Sequence, residues 1–254
     1  MIDTAGQCAP VASCPHLLSS PMATPAKRAR SGVSVEARFE AYKSTLDGLN
    51  ETRERLVRNS RTLTQDSKKA IFALLKQWTA PPPLDSLLPE TTATCLAELA
   101  ALSEEDHWRF YRNLQGGVEE FLEAYLLAGY LHAGSEQGIA SLDECSRAAF
   151  GVEGRLDAAT YLGALSDLTG ELRRCAVNAI SDNRREETFR ILDVLRQSID
   201  GMASIKVPKR CQNKVTAMEK NLQAIEQVCY TMRVRGAEFK LGDERMEEDP
   251  GNDD

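Results

Sequence analysis

Phe121-Leu-Glu-Ala-Tyr-Leu-Leu-Ala-Gly-Tyr-Leu131 carries a single charge, Glu123, in eleven residues. A segment this long with apolar side chains at every azimuth reads as a helix buried on all sides. Upstream, Ser103-Glu-Glu-Asp106 has the form of an N-cap followed by first-turn acids, and downstream Gly134 ends the run; together they predict a helix from about 103 to 132. Outward from it the same helical periodicity recurs. A long helix is expected over 35–78, with Phe39, Tyr42, Leu46, Leu49, Leu56, Leu63, Ile71, Leu74 and Leu75 recurring close to heptad spacing with gaps, ended by Ala80-Pro-Pro-Pro83, since proline removes an amide donor and restricts its predecessor. Further helices are expected at 90–102, 142–150, 157–180, 184–202 and 208–235, the last with Pro208 in its first turn. No stretch alternates with a period of two for long enough to make a strand. Seven helices with short loops predict an all-α fold in a single helical domain over 35–239. It is flanked by an Ala-, Pro- and Ser-rich arm (1–34) and an acidic tail (240–254), both expected to be disordered.

With 42% hydrophobic and 27% charged residues the composition is that of an ordinary globular chain. No apolar run approaches a membrane span, and no secretory signal is visible at the N-terminus. Seven cysteines, an odd number without a CxxC pair, argue against a disulfide framework or a zinc ribbon and place the chain in a reducing compartment, the cytoplasm or nucleus. The net charge of −7 is concentrated at the C-terminus, where Gly236 to Asp254 holds eight acids against Lys240 and Arg245. The remainder is near neutral, so overall acidity does not exclude RNA as a partner. Pro25-Ala-Lys-Arg-Ala-Arg30 reads either as a nuclear localisation signal or as solubilising charge.

The chemistry begins with the lone acids. Glu123 in an apolar helix needs compensation by an arginine, a shared proton or a cation, and Glu120 lies one turn earlier on the same face. Tyr161-Leu-Gly-Ala-Leu-Ser-Asp-Leu-Thr-Gly-Glu-Leu172 repeats the pattern, with Asp167 and Glu171 spaced i,i+4 beside the stripe Tyr161, Leu165, Leu168 and Leu172. Two helices presenting two inward carboxylates each are how bundles build carboxylate metal sites. With no histidine in either pair, oxygen-preferring Mg²⁺ or Mn²⁺ suits the set better than zinc or iron. The plainer reading is that these acids pair with Arg173 and Arg174 and are solvated; Glu119 is read as a surface residue. On the first helix Arg58, Arg61, Lys68 and Lys69 form a basic face that reads equally as a phosphate-tracking surface or as a solvated one. His107 and His132 are assigned to helix-end packing, Gly116-Gly117 to close helix approach, and Cys175 and Cys229 to apolar faces. There is no P-loop, GxGxxG or GxSxG.

Four segments, Arg55-Leu-Val-Arg-Asn-Ser-Arg-Thr-Leu-Thr-Gln-Asp-Ser-Lys-Lys-Ala-Ile-Phe72, Gly117-Val-Glu-Glu-Phe-Leu-Glu-Ala124, Asp167-Leu-Thr-Gly-Glu-Leu172 and Val234-Arg-Gly-Ala-Glu238, closely resemble the translin-associated factor X branch of the translin family. The resemblance spans about 35–239. His107-Trp-Arg-Phe110 is closer to translin itself, but translin has apolar or small residues at the places of Glu120, Glu123 and Asp167, keeping only the equivalent of Glu171. The resemblance implies a seven-helix fold that assembles with translin into a hollow, octamer-like barrel. It implies Mg²⁺-dependent endoribonuclease activity, with Glu120, Glu123, Asp167 and Glu171 as catalytic metal ligands. The implied substrates are a passenger strand in RNA silencing or transfer-RNA precursor fragments. The alternative expectation is a non-catalytic translin partner that stabilises the complex and contributes to single-stranded DNA or RNA binding.

Overall fold

The computed structural model describes residues 34–133 and 139–247, with side chains to 234. The N-terminal arm with its basic cluster, Gly134 and the last seven residues of the expected tail lie outside the described residues.

Eight α-helices and one 3₁₀ turn make up the described chain: α1 (Val35–Lys76), α2 (Leu84–Leu87), α3 (Glu90–Ala100), α4 (Glu104–Ala133), α5 (Leu142–Phe150), α6 (Ala158–Ser181), α7 (Arg185–Ala203) and, after the turn Lys209–Cys211, α8 (Gln212–Glu247). Two differences from the seven expected helices have local causes. The single turn α2 follows Pro83, whose fixed φ of −56° suits the entry to a helix but whose neighbours read as loop. The last helix continues to Glu247 instead of ending near 235, so the expected tail starts inside it; Gly236 and Gly242 are isolated, and a single glycine costs a helix only about 1 kcal/mol. Among the described residues there is no strand, and no helix is long and apolar enough to cross a membrane.

Helix ends follow from their capping residues. Ser103 Oγ accepts from Asp106 N (3.1 Å) at the start of α4, and Ser141 and Glu144 form a reciprocal capping box on α5. Gly151, at φ +71°, closes α5 in the left-handed conformation that glycine adopts without penalty. Asp157 caps α6 through Ala159 N (3.3 Å).

The chain divides into two units at Thr45. The first turns of α1, up to Thr45, are capped by Ser34 (Oγ accepting from Ala37 N, 3.2 Å) and expose Phe39 and Tyr42 as an edge-on pair. From Leu46 onward the helices share one core. Its fully buried side chains include Leu56, Leu63 and Leu74 of α1, Leu114, Leu122 and Leu127 of α4, Leu168 and Leu172 of α6, and Ile191 and Leu195 of α7. α6 is the central element, packed on α4, α7 and α8.

Two polar contacts set the pitch of α1 in this unit. Gly117 of α4 lies so close to α1 that a Cβ there would stand 2.5 Å from the Ser60 carbonyl oxygen, and its amide donates to Ser60 Oγ (3.1 Å). Gly116 meets nothing, so only the second glycine of the pair serves the close approach. Asp66 is buried and accepts from Thr92 Oγ1 (3.0 Å) at the start of α3, joining the two helices.

Candidate functional site: an acidic cleft

α4 and α6 bring their acids together. Glu120, Glu123, Asp167 and Glu171 all line one cleft of about 620 Å³, whose walls also include Lys68 and Phe72 of α1 and Asn221 of α8. The register follows from the two sequence patterns: the i,i+3 pair on α4 and the i,i+4 pair on α6 each project from one helix face, and the packing of α4 on α6 turns those faces to the same space.

The four acids have different surroundings. Glu120 is 3.2 Å from the Lys68 ammonium. Glu171 is buried and accepts from Arg174 (3.1 Å), as one of the two arginines flagged by sequence; burial raises its pKa, and the guanidinium opposes that rise. Asp167 accepts from Lys214 through Oδ2 (2.6 Å). Glu123, 8% exposed, has no hydrogen bond or ion pair of its side chain among the described residues. Burial first, then repulsion from Asp167, Glu171 and Glu120, pushes its pKa up to about 8. A carboxylate without a protein partner, on a largely buried residue and within the field of three other acids, is the environment a divalent cation relieves, and an all-oxygen donor set fits Mg²⁺ or Mn²⁺. Among the described residues no three His, Cys, Asp or Glu side chains are already gathered as a ligand group; three of the four carboxylates are instead drawn onto basic side chains.

Glu119 requires a correction. Its side chain is 15% exposed, not on the surface, and it ion-pairs with Lys214. Lys214 thus joins Glu119, Asp167 and the Gly163 carbonyl (3.4 Å). Burial alone would lower its pKa, but the hydrogen bonds to Asp167 and Glu119 outweigh this and hold it above the ordinary value. Sequence reasoning missed Lys214 and Asn221, since both come from α8 and nothing local sets them apart from other helical polar residues. It also assigned no role to Phe72, which is 71% exposed at the cleft.

The basic face of α1 is split. Arg58 and Arg61 are exposed, make no ion pair among the described residues and lie outside the cleft lining. Lys68 lies two turns beyond Arg61 on the same stripe and enters the cleft, whereas the Lys69 ammonium is tied to Asp66 (3.2 Å). The remaining expectations for packing residues are met. His107 is buried, hydrogen-bonds the Arg155 carbonyl (2.8 Å) and packs edge-on against Phe150, while His132 bonds the Ala128 carbonyl (2.7 Å) within its own helix. Cys175 and Cys229 are buried and free.

A sequence profile described as "Translin family" matches residues 51–236. Translin-associated protein X of Rattus norvegicus is 28% identical over 245 residues, covering 84% of this chain and 83% of the rat protein. The Translin-associated protein X homolog of Schizosaccharomyces pombe is 25% identical over 221 residues, covering 80% and 90%. Among solved structures, AfC3PO is similar with a TM-score of 0.62 at 18% identity, covering 78% of this chain and 98% of that one. AfC3PO in complex with duplex RNA gives 0.62 at 16% identity, covering 78% and 97%. The profile covers most of the helical chain, including α1 from Glu51, both acid-bearing helices and most of α8: the chain belongs to the translin family.

Proposed function

We propose that this chain is the divalent-cation-dependent endoribonuclease subunit of a translin-type complex. The observation that carries the reading is the convergence of Glu120, Glu123, Asp167 and Glu171 on one cleft, with the Glu123 side chain lacking any protein partner there among the described residues. The name of the relatives, Translin-associated protein X, and the RNA complex of a similar fold support the partner and the substrate class.

In this reading Glu120, Glu123 and Asp167 hold Mg²⁺, with Mn²⁺ as a substitute, and Glu171 is a further ligand or acceptor. When bound, the cation neutralises a scissile phosphate and acidifies attacking water. The chain's own groups do the rest. Lys68, at the edge of the cleft, attracts the phosphate backbone, and Arg58 and Arg61 extend that attraction along α1. Phe72 offers an exposed ring for a splayed base. None of these groups reads sequence, so the expected substrate is single-stranded or nicked RNA, with single-stranded DNA as a binding competitor. Cytoplasmic and nuclear location is proposed with it, supported by the free thiols Cys95, Cys145, Cys175, Cys211 and Cys229.

The second reading, a non-catalytic translin partner, is favoured by one observation: three of the four acids already have basic counterions. One assay separates them. The complex with translin is incubated with end-labelled single-stranded RNA and Mg²⁺, with and without EDTA, beside the Asp167→Asn variant. EDTA-sensitive cleavage by the wild type and its loss in Asp167→Asn, with assembly intact, are expected. RNA binding without EDTA-sensitive cleavage assigns the scaffold role instead.

A further inference from the structure

We propose that Lys214 is the positioning residue of the acidic cleft: from α8 it fixes the Asp167 carboxylate through Oδ2 and leaves Oδ1 for a cation. The inference rests on the divalent-cation reading of the cleft and adds a residue to it that carries no ligand atom.

The arrangement is built across three helices. Lys214 side-chain exposure is 31%, and its Nζ donates to Glu119 on α4 and to Asp167 and the Gly163 carbonyl on α6. An ammonium has three protons to donate, and here each has an acceptor, so its position is determined by α4 and α6 together. The carboxylate of Glu119 occupies the space that a side chain at residue 163 would take. A Cβ at Gly163 would stand 2.5 Å from one Glu119 carboxylate oxygen and 2.7 Å from its carboxyl carbon. Asp167 in turn has no hydrogen-bond partner at Oδ1 among the described residues, and it lines the cleft with the other three acids. The chain of support therefore runs from the missing Cβ of Gly163 through Glu119 and Lys214 to Asp167. Groups in this relation to ligands orient them, and their loss typically weakens metal binding by about 10–100-fold.

Charge alone predicts the opposite sign. Lys214 is a cation beside a cation site, so removing it should tighten divalent binding if its only effect were electrostatic. That difference makes the proposal testable with Mn²⁺ alone as the probe, titrated by electron paramagnetic resonance into the full chain in its complex with translin, without RNA. The titration is run in about 0.5 M salt, where a Debye length of roughly 4 Å suppresses distant charge effects. The expected result is weaker Mn²⁺ binding in Lys214→Met by about 10-fold or more. Gly163→Ala, which touches no proposed ligand, is expected to weaken binding several-fold by displacing Glu119, and to have no further effect in a Glu119→Ala background. Unchanged or tighter binding in Lys214→Met, with Asp167→Asn weakened, overturns the positioning role and makes Lys214 a competing counterion. Should Lys214→Met fail to fold, an unaltered Mn²⁺ affinity in Gly163→Ala overturns the proposal equally. Undiminished binding in Asp167→Asn overturns the underlying cleft reading instead.

Discussion

Glu123 is the residue at which burial, charge and function meet. In the folded chain it titrates near pH 8, pushed up by burial and by the three neighbouring carboxylates, whereas an unfolded glutamate titrates near 4.3. The folded state therefore holds a proton that the unfolded state has released across that interval. The stability tied to this proton is fully present below about pH 4 and is lost as pH rises through 8, at up to about 1.4 kcal/mol per pH unit. Glu123→Gln keeps the shape and removes the titration. In EDTA, the wild type is expected to lose denaturant resistance relative to Glu123→Gln between pH 6 and 8.5, by on the order of 2–3 kcal/mol. Mg²⁺ should restore part of the loss in the wild type alone. Parallel pH profiles for the two proteins would remove the case for a strained carboxylate at this position.

Between elements, the contacts that place the site are close approaches rather than large buried areas. Gly117 lets α4 meet α1 at Ser60, three residues before Glu120 and two turns before Lys68 on the facing helix. A methyl group there would run into backbone, which cannot rotate away, so Gly117→Ala is expected to destabilise the fold by about 1–3 kcal/mol. That corresponds to a fall of several degrees in Tm for a domain of this size; a Tm within one degree of wild type would show that α1 can slide. Helix identity was legible in the sequence because apolar periodicity and caps are local: Ser103, read as the N-cap of α4, accepts from Asp106 N in the structure. α2 and the extension of α8 were not legible, since one turn after three prolines and a polar helix carry little apolar periodicity.

For the body from Leu46 onward, the surface as well as the cleft bears on function. Arg58 and Arg61 are unpaired and share a stripe with Lys68, and Phe72 continues it into the cleft. Binding that releases counterions from phosphates falls with salt by a log–log slope of about 0.7 for each contact on a single strand. Arg58→Ala with Arg61→Ala is expected to lower RNA affinity at low salt and to reduce that slope by roughly 1 to 1.5, measured by filter binding of the complex over a salt series. An unaltered slope would move the RNA path off α1. The sequence by itself determined seven of the eight helices and the two acid pairs, because both are properties of spacing along one chain segment. Only the tertiary structure decided that the pairs face one cleft, that Glu119 is paired with Lys214 instead of solvated, and that Lys214 holds Asp167. Those facts depend on how α4, α6 and α8 pack, and no local pattern records the contact of Glu119 with a lysine 95 residues away.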